Sequence, residues 1–313
     1  MRLLKWLGLA LGLIVLVIAG AMAWLAEPDL PAARVEAQYL TPTSRFVTLA
    51  DGARVHVRLD GDPAAPAIVL LHGSNASLHT WEGWTFRLKD RFRVVSMDLP
   101  GHGLTGPVPS GRYDIGAMAE VVDAVVTKLG VAKFSLVGNS MGGYVAWRYT
   151  LAHPDKVDHL VLVDAGGYPR KDRPMIYRIA SLPLAGWIMQ RVTPAFTIRA
   201  QLTQVFADDS KVTDAMVERY HTLLLREGNR EATGKRITTP PDVIASPQVL
   251  GAIKAPTLII WGEQDAWIPL EWAHHFAADI PGATLKLYPG LGHVPMEEAP
   301  DETAADAAAF LSK

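Results

Sequence analysis

The sequence contains no cysteine, which excludes disulfides, a thiol nucleophile and thiolate metal sites together. The same absence leaves the compartment unread, because exported and cytoplasmic proteins can both lack cysteine. Neither sign of charge is in large excess: 30 basic residues face 32 acidic ones, for a formal charge of −2. No net field therefore draws the chain to nucleic acid or to an acidic polymer. Internal repeats are missing, and the one compositionally biased stretch is the alanine-rich end. What is present is a chain of 313 residues, 49% of them hydrophobic, which suits one large α/β domain carrying an insertion and gives no sign of disorder.

One charge-free run stands out. After Arg2 and Lys5, nothing from Trp6 to Ala26 is charged, and as a helix this run reaches roughly 30 Å, enough to cross a bilayer core. The competing reading is a cleaved signal peptide ending at Ala21-Met22-Ala23, but such peptides have an apolar region of only about 7–15 residues. The greater length favours a retained anchor, with Trp6 and Trp24 suited to the two membrane interfaces. A buried soluble helix fits less well, because the apolar surface runs all the way round. Positive charges before the span, with Glu27 and Asp29 after it, predict a cytoplasmic amino end and a domain outside, periplasmic in a bacterium. Secretion after cleavage is the alternative. Residues 1–27 thus read as anchor or signal segment. Residues 28–44, with Pro28, Pro31 and Pro42 among small and charged residues, read as a linker to a domain over 45–313.

Within that domain, Asp51-Gly52 between Arg45–Leu49 and Arg54–Leu59 predicts a tight hairpin. Short apolar runs then alternate with helix-like segments: Ala67–Leu71, Arg93–Met97, Phe134–Val137, His159–Val163, Thr257–Trp261 and Thr284–Leu287. Such unbroken runs suit strands buried on both faces, and so a mostly parallel central sheet flanked by helices. Asp114 caps a helix whose Met118, Val121, Val122, Val125 and Leu129 share one face, and Gly130 ends it. The rhythm breaks once, over about 167–249, where a mostly helical stretch such as Ser210–Arg226 intervenes. That interval reads as an insertion over the carboxyl edge of the sheet. Asp301 to Leu311 reads as a closing helix.

The chemistry sits at strand ends. Gly138-Asn139-Ser140-Met141-Gly142 follows the strand Phe134–Val137 and opens a helical segment, the context in which G-x-S-x-G presents a nucleophilic serine. A serine hydroxyl needs a base at neutral pH, and His293, in Pro289-Gly290-Leu291-Gly292-His293 after the last strand, is the best placed of ten histidines. Asp265, in Trp261-Gly262-Glu263-Gln264-Asp265 after the preceding strand, completes the chain order serine, acid, histidine; Glu263 is its local competitor. Asp265 would accept the imidazole N–H and hold the tautomer. For the oxyanion, the backbone N–H groups of Ser74, in Leu71-His72-Gly73-Ser74-Asn75, and of Met141 are the candidate donors, with His72 a structural loop residue.

Gly101-His102-Gly103-Leu104-Thr105-Gly106 also satisfies G-x-G-x-x-G, but Pro107, Pro109 and Gly111 follow where a dinucleotide site needs a helix, so no NAD or FAD site is expected. His274-His275 lacks metal-ligand spacing. No cofactor and no metal is called for.

Together His72-Gly73, Asp98-Leu99-Pro100-Gly101-His102-Gly103, Gly138-Asn139-Ser140-Met141-Gly142-Gly143, Trp261-Gly262-Glu263-Gln264-Asp265 with Pro269, and Gly292-His293 with Pro295 make the sequence resemble the α/β-hydrolase superfamily over roughly residues 45–311. The resemblance implies the α/β-hydrolase fold with a helical cap insertion at about 167–249 and a cofactor-free hydrolase. The elbow resembles carboxylesterases and also hydrolases that cleave carbon–carbon bonds of ring-opened aromatics. The latter usually carry Trp after the catalytic histidine, where this chain has Val294. Dehalogenases and epoxide hydrolases of this fold use an aspartate where Ser140 stands. The expectation is a carboxylic ester hydrolase acting on a small or apolar acyl ester through an acyl-enzyme. The alternatives are a carbon–carbon hydrolase of ring-fission dienones and a non-catalytic binding protein. In the cap, Leu182, Leu184, Trp187, Ile188, Met189 and Phe196 suggest an acyl pocket and lipid contact, or simply the cap's own core. Arg170, Lys171, Arg173 and Arg178 could face anionic headgroups or form a solvated face.

Overall fold

Eight strands form one sheet: β1 (Ser44–Thr48), β2 (Arg54–Asp60), β3 (Ala67–Leu71), β4 (Arg93–Met97), β5 (Phe134–Asn139), β6 (Val157–Val163), β7 (Thr257–Gly262) and β8 (Thr284–Tyr288). They lie in the order β1-β2-β4-β3-β5-β6-β7-β8. The computed structural model describes residues 2–169, 182, 186–188 and 190–313. The hairpin turns at Asp51-Gly52, where Gly52 takes φ 88°, and β2 runs antiparallel to β4. From β4 across the sheet to β8 every pair is parallel.

Each central strand is buried on both faces because its alternate residues feed two cores. Val69, Leu71, Leu136, Leu160, Leu162, Ile259 and Trp261 point to one side. There they meet α4 (Ile115–Lys128), α5 (Met141–Ala152) and α9 (Glu271–Asp279) through residues such as Met118, Val145 and Phe276. Ile68, Leu70, Val137, Val161, Leu258 and Ile260 point to the other side, against Trp81, Trp84 and the alanine face of the closing helix α10 (Pro300–Leu311). Asp114 caps α4 by accepting the N–H of Ala117 at 2.9 Å, as its sequence position predicts.

Among the described residues, the insertion between β6 and β7 carries the helices α6 (Ala195–Val205), α7 (Asp214–Leu225) and α8 (Asn229–Thr238). Thr213 caps α7 at the N–H of Met216. Arg170, Lys171, Arg173, Arg178, Leu184 and Met189 lie outside the described residues.

The proline-containing segment before β1 is docked rather than extended. It carries α2 (Ala32–Tyr39), whose Val35 is buried with Leu104 and Leu223. Just before it, Leu30 N–H donates to Leu225 O at 2.7 Å and Leu30 O accepts from Glu227 N–H at 2.9 Å. Arg230 reaches Asp29 at 2.6 Å, the carbonyl of Glu27 at 2.7 Å and Thr193 at 2.8 Å. Composition suggested a tether, but a buried guanidinium needs these partners. α1 (Arg2–Leu25) is one helix of 24 residues, with Trp6, Leu9, Leu13, Leu16 and Trp24 exposed. Several other side chains of α1 lie outside the described set. Among the described residues no helix is long and apolar enough to cross a membrane.

Candidate active site

The turn from β5 into α5 places Ser140 at φ 54°, ψ −114°, a conformation that costs a non-glycine residue about 1–3 kcal/mol and persists only where neighbours enforce it. The neighbours are backbone. Ser140 N–H donates to Val163 O at 3.0 Å, and Ser140 O accepts from Gly166 N–H at 2.9 Å and Tyr144 N–H at 3.1 Å. A Cβ at Gly138 would collide with the carbonyl of Gly142, and one at Gly142 with the carbonyl of Leu71, so the tight turn requires glycine at both places. The Met141 N–H heads α5, where amides lack intrahelical partners and the helix end carries partial positive charge.

The loop after β3 passes directly over this turn. A Cβ on Gly73 would stand 2.8 Å from Asn139 Oδ1 and 3.2 Å from Ser140 Cβ, so only glycine lets this loop approach Ser140 so closely. The Ser74 hydroxyl accepts from Arg236 of α8. His72 is fully buried and acts as scaffold: its Nδ1 bonds Gly73 O at 2.7 Å and its Nε2 accepts the Leu99 N–H at 2.9 Å. Burial pulls its pKa down, keeping it neutral in that role. Asp98 is the other scaffold of these loops, accepting from His56 at 2.7 Å and from the N–H groups of Leu78 and Leu104 at 2.8 Å. Burial alone would raise its pKa, and the bond and charge of His56 overcome that. Gly101–Gly106 is a turn-rich loop that opens no helix.

His293 and Asp265 meet across the ends of β7 and β8. His293 Nδ1 lies 2.7 Å from Asp265 Oδ2, and Asp265 Oδ1 accepts from the N–H groups of Trp267 at 2.7 Å and Ile268 at 3.0 Å. With Nδ1 donating to the carboxylate, Nε2 keeps its lone pair. Glu263 is exposed, so Asp265 is the acid that serves His293. Two more contacts hold the histidine loop: Asn139 Nδ2 donates to His293 O at 3.0 Å, and Glu298 accepts the N–H groups of Gly292 and Ala207. Burial raises the pKa of Glu298.

Ser140 and His293 open onto one cleft, lined also by Ser74, Asn75, Ile198, Leu202, Tyr220 and Trp267. The apolar wall comes from α6, α7 and the loop after β7. Leu182, Trp187 and Phe196, expected at an acyl pocket, are instead exposed on the cap. Helical residues can be assigned to a face only once the partner is known, and the sequence does not show which face of the cap meets the sheet.

Three residues of the site were not foreseen. Asn139 enters the sequence pattern only as part of the turn, and Arg236 belongs to no motif. Asp164, at the end of β6, is fully buried. Its position just past a strand, as with Asp265, is the one available signal. Asp164, Asp265 and His293 bring ligand-type atoms within 4.8 Å of one another, a spacing a metal ion could use. Asp265 Oδ2 is already engaged by His293, and Oδ1 by two backbone N–H groups, so hydrogen bonding accounts for the cluster.

A family model described as the alpha/beta hydrolase family matches residues 68–307. The chain is 31% identical over 271 residues to an uncharacterized protein of Mycobacterium tuberculosis, covering 83% of this chain and 78% of that one. It is 30% identical over 272 residues to a 2-hydroxy-6-oxononadienedioate/2-hydroxy-6-oxononatrienedioate hydrolase of Cupriavidus pinatubonensis, covering 83% and 92%. Among solved structures it is similar to a bacterial membrane phospholipase A, with 27% identity and a TM-score of 0.73, covering 99% of this chain and 98% of the other.

Proposed function

Because the chain belongs to the alpha/beta hydrolase family, we propose that it is a serine hydrolase of carboxylic esters held at a membrane by α1. In this reading Ser140 Oγ attacks the acyl carbonyl while His293 Nε2 takes its proton. The tetrahedral oxyanion is held by the N–H groups of Met141 and Ser74. Collapse expels the alcohol, which takes the proton from His293 and leaves the acyl group on Ser140. Water then enters, gives a proton to His293, and releases the carboxylic acid as Ser140 recovers its hydrogen. Asp265 keeps Nδ1 protonated throughout.

The observation that carries the ester reading is the likeness to the membrane phospholipase A, which extends along 99% of the chain, α1 included. The charge-free run of α1, the exposed Trp6 and Trp24 and the exposed Leu182, Trp187 and Phe196 of the cap support a membrane-facing placement, with the domain outside the cytoplasm. Carbon–carbon cleavage by the same three residues is the second reading, favoured by the 30% identity to the dienedioate hydrolase. Against it stands Val294, beside the histidine. Treating the full-length protein in vesicles with a fluorophosphonate, then assaying phospholipid, p-nitrophenyl esters of graded chain length and a ring-fission dienone, separates the readings. Stoichiometric labelling lost in Ser140→Ala, with turnover of esters, is the expected result. Turnover of the dienone alone would replace the ester reading, and a folded protein that neither labels nor turns over any substrate would sink both.

A further inference from the structure

Asp164 follows β6 at φ 44°, its N–H donating to Ile260 O at 3.0 Å and its side chain fully buried. Oδ1 accepts the Gly262 N–H at 3.0 Å. Oδ2 has no donor among the described residues, and carboxylate oxygens of Asp164 and Asp265 lie within 4.8 Å of each other. Two buried carboxyl groups this close strongly disfavour double ionisation, so one of them holds a proton. The donors decide which. Asp265 receives three, from Trp267 N–H, Ile268 N–H and His293 Nδ1, and Asp164 receives one.

We propose that Asp164 is a neutral carboxylic acid that donates its hydrogen to the Asp265 carboxylate and thereby sets how firmly Asp265 holds His293. This rests on Ser140, Asp265 and His293 acting as described above. The other charged groups facing the pair agree with the assignment. Burial first, then the charge of Asp265 and that of Glu298, raise the pKa of Asp164, with only the Gly262 N–H opposing them. Asp164 is therefore a positioning residue. Its O–H fixes the carboxylate plane of Asp265 and takes up part of its charge, which leaves less to hold an imidazolium at His293.

The test is the rate at which a fluorophosphonate labels the full-length protein as a function of pH, for wild type, Asp164→Asn and Asp164→Ala. Asparagine supplies an N–H where the acid had an O–H, so Asp164→Asn should keep the wild-type acid limb. Alanine supplies none, and Asp265 would then hold the imidazolium more tightly, moving the limb upward by about half to one pH unit. Any other pattern, such as both variants shifting together or neither shifting, overturns the proposal. Infrared difference spectra at neutral pH give a second readout even if Asp164→Ala does not fold. Wild type should show the carbonyl stretch of a protonated carboxyl group that Asp164→Asn lacks, and absence of that band overturns the proposal too. The band does not depend on a reactive serine. A wild type that shows the band but does not label would count against the role of Ser140 rather than against the proton on Asp164.

Discussion

Asn139 and His293, 154 positions apart, are joined by a 3.0 Å hydrogen bond from the Asn139 amide to the His293 carbonyl. The same amide reaches Val163 O at 3.2 Å. One side chain thus ties the turn of Ser140 to the end of β6 and to the loop that carries His293. Replacing it by Leu leaves two buried carbonyls without this donor, at a cost of about 1–3 kcal/mol in stability. It also frees His293 to drift from Ser140. Asn139→Leu should therefore lower kcat at least tenfold with a smaller change in KM, since misplacement of a reacting group acts mainly on the transition state. Steady-state kinetics beside urea unfolding would check both effects, and an unchanged kcat would contradict the linkage.

The cleft wall predicts a chain-length effect. Leu224 of α7 lies on the cleft together with Leu202, Tyr220 and Trp267. Leu224→Trp adds bulk there without touching Ser140 or His293, so long acyl esters should lose more than short ones. A pocket contact of this kind is worth about 1–3 kcal/mol, or roughly 10–200-fold in kcat/KM. Measuring kcat/KM from two-carbon to twelve-carbon p-nitrophenyl esters would show a steeper fall in the variant, and a uniform loss at every length would mean that this wall does not hold the acyl chain.

How much of this was legible before the structure differs residue by residue. Ser140, Asp265 and His293 each follow a strand, and a parallel sheet gathers the carboxyl ends of its strands at one edge, so chain order and strand position pointed to all three. Asp164 follows a strand too, but its importance comes from β6 and β7 being neighbours, a pairing of Leu160 with Thr257 across the inserted helices that no local pattern encodes. The cleft lining depends on how the cap rotates over the sheet, and Leu202 and Leu182 look alike until one is buried and the other is not. The docking of residues 27–30 was hidden for a similar reason. Prolines and small residues signal an irregular backbone, yet Arg230, far along the chain, fixes that backbone in place.

Acid should destabilise the fold through its buried histidines. Burial lowers the pKa of His79 from the ordinary 6.5 to about 4, and burial acts in the same direction on His72 and His102. Below pH 6.5 the unfolded chain binds a proton at His79 that the folded chain refuses until about pH 4. Stability therefore falls as pH drops through that window, by about 3 kcal/mol in full for this residue. Asp98 acts in a lower range: its depressed pKa contributes stability above the usual carboxylate value that is lost only on further acidification. His79→Gln cannot take up the proton, so its unfolding free energy should decline less between pH 7 and pH 4.5 than that of wild type. Equal slopes would show that His79 is not the group responsible.

The docked segment makes the position of a truncation matter more than its length. Arg230 is buried and depends on Asp29 at 2.6 Å and on the Glu27 carbonyl at 2.7 Å, while Leu30 forms a bridge with Arg226 at the cap. A chain starting at Glu27 loses α1 but keeps all of these contacts. A chain starting at Ala32 leaves a buried guanidinium without its carboxylate, which typically costs about 3–5 kcal/mol. The first should unfold at nearly the temperature of the full-length domain, and the second markedly lower. Arg230 lies at the start of α8, which also carries Arg236, the partner of Ser74, so the second truncation should also slow labelling of Ser140 by a fluorophosphonate even where the protein remains folded. If both truncated chains melt and label alike, the segment before α2 is only a connection between α1 and the domain. If they differ as expected, the segment that follows α1 is part of the structure that supports the site.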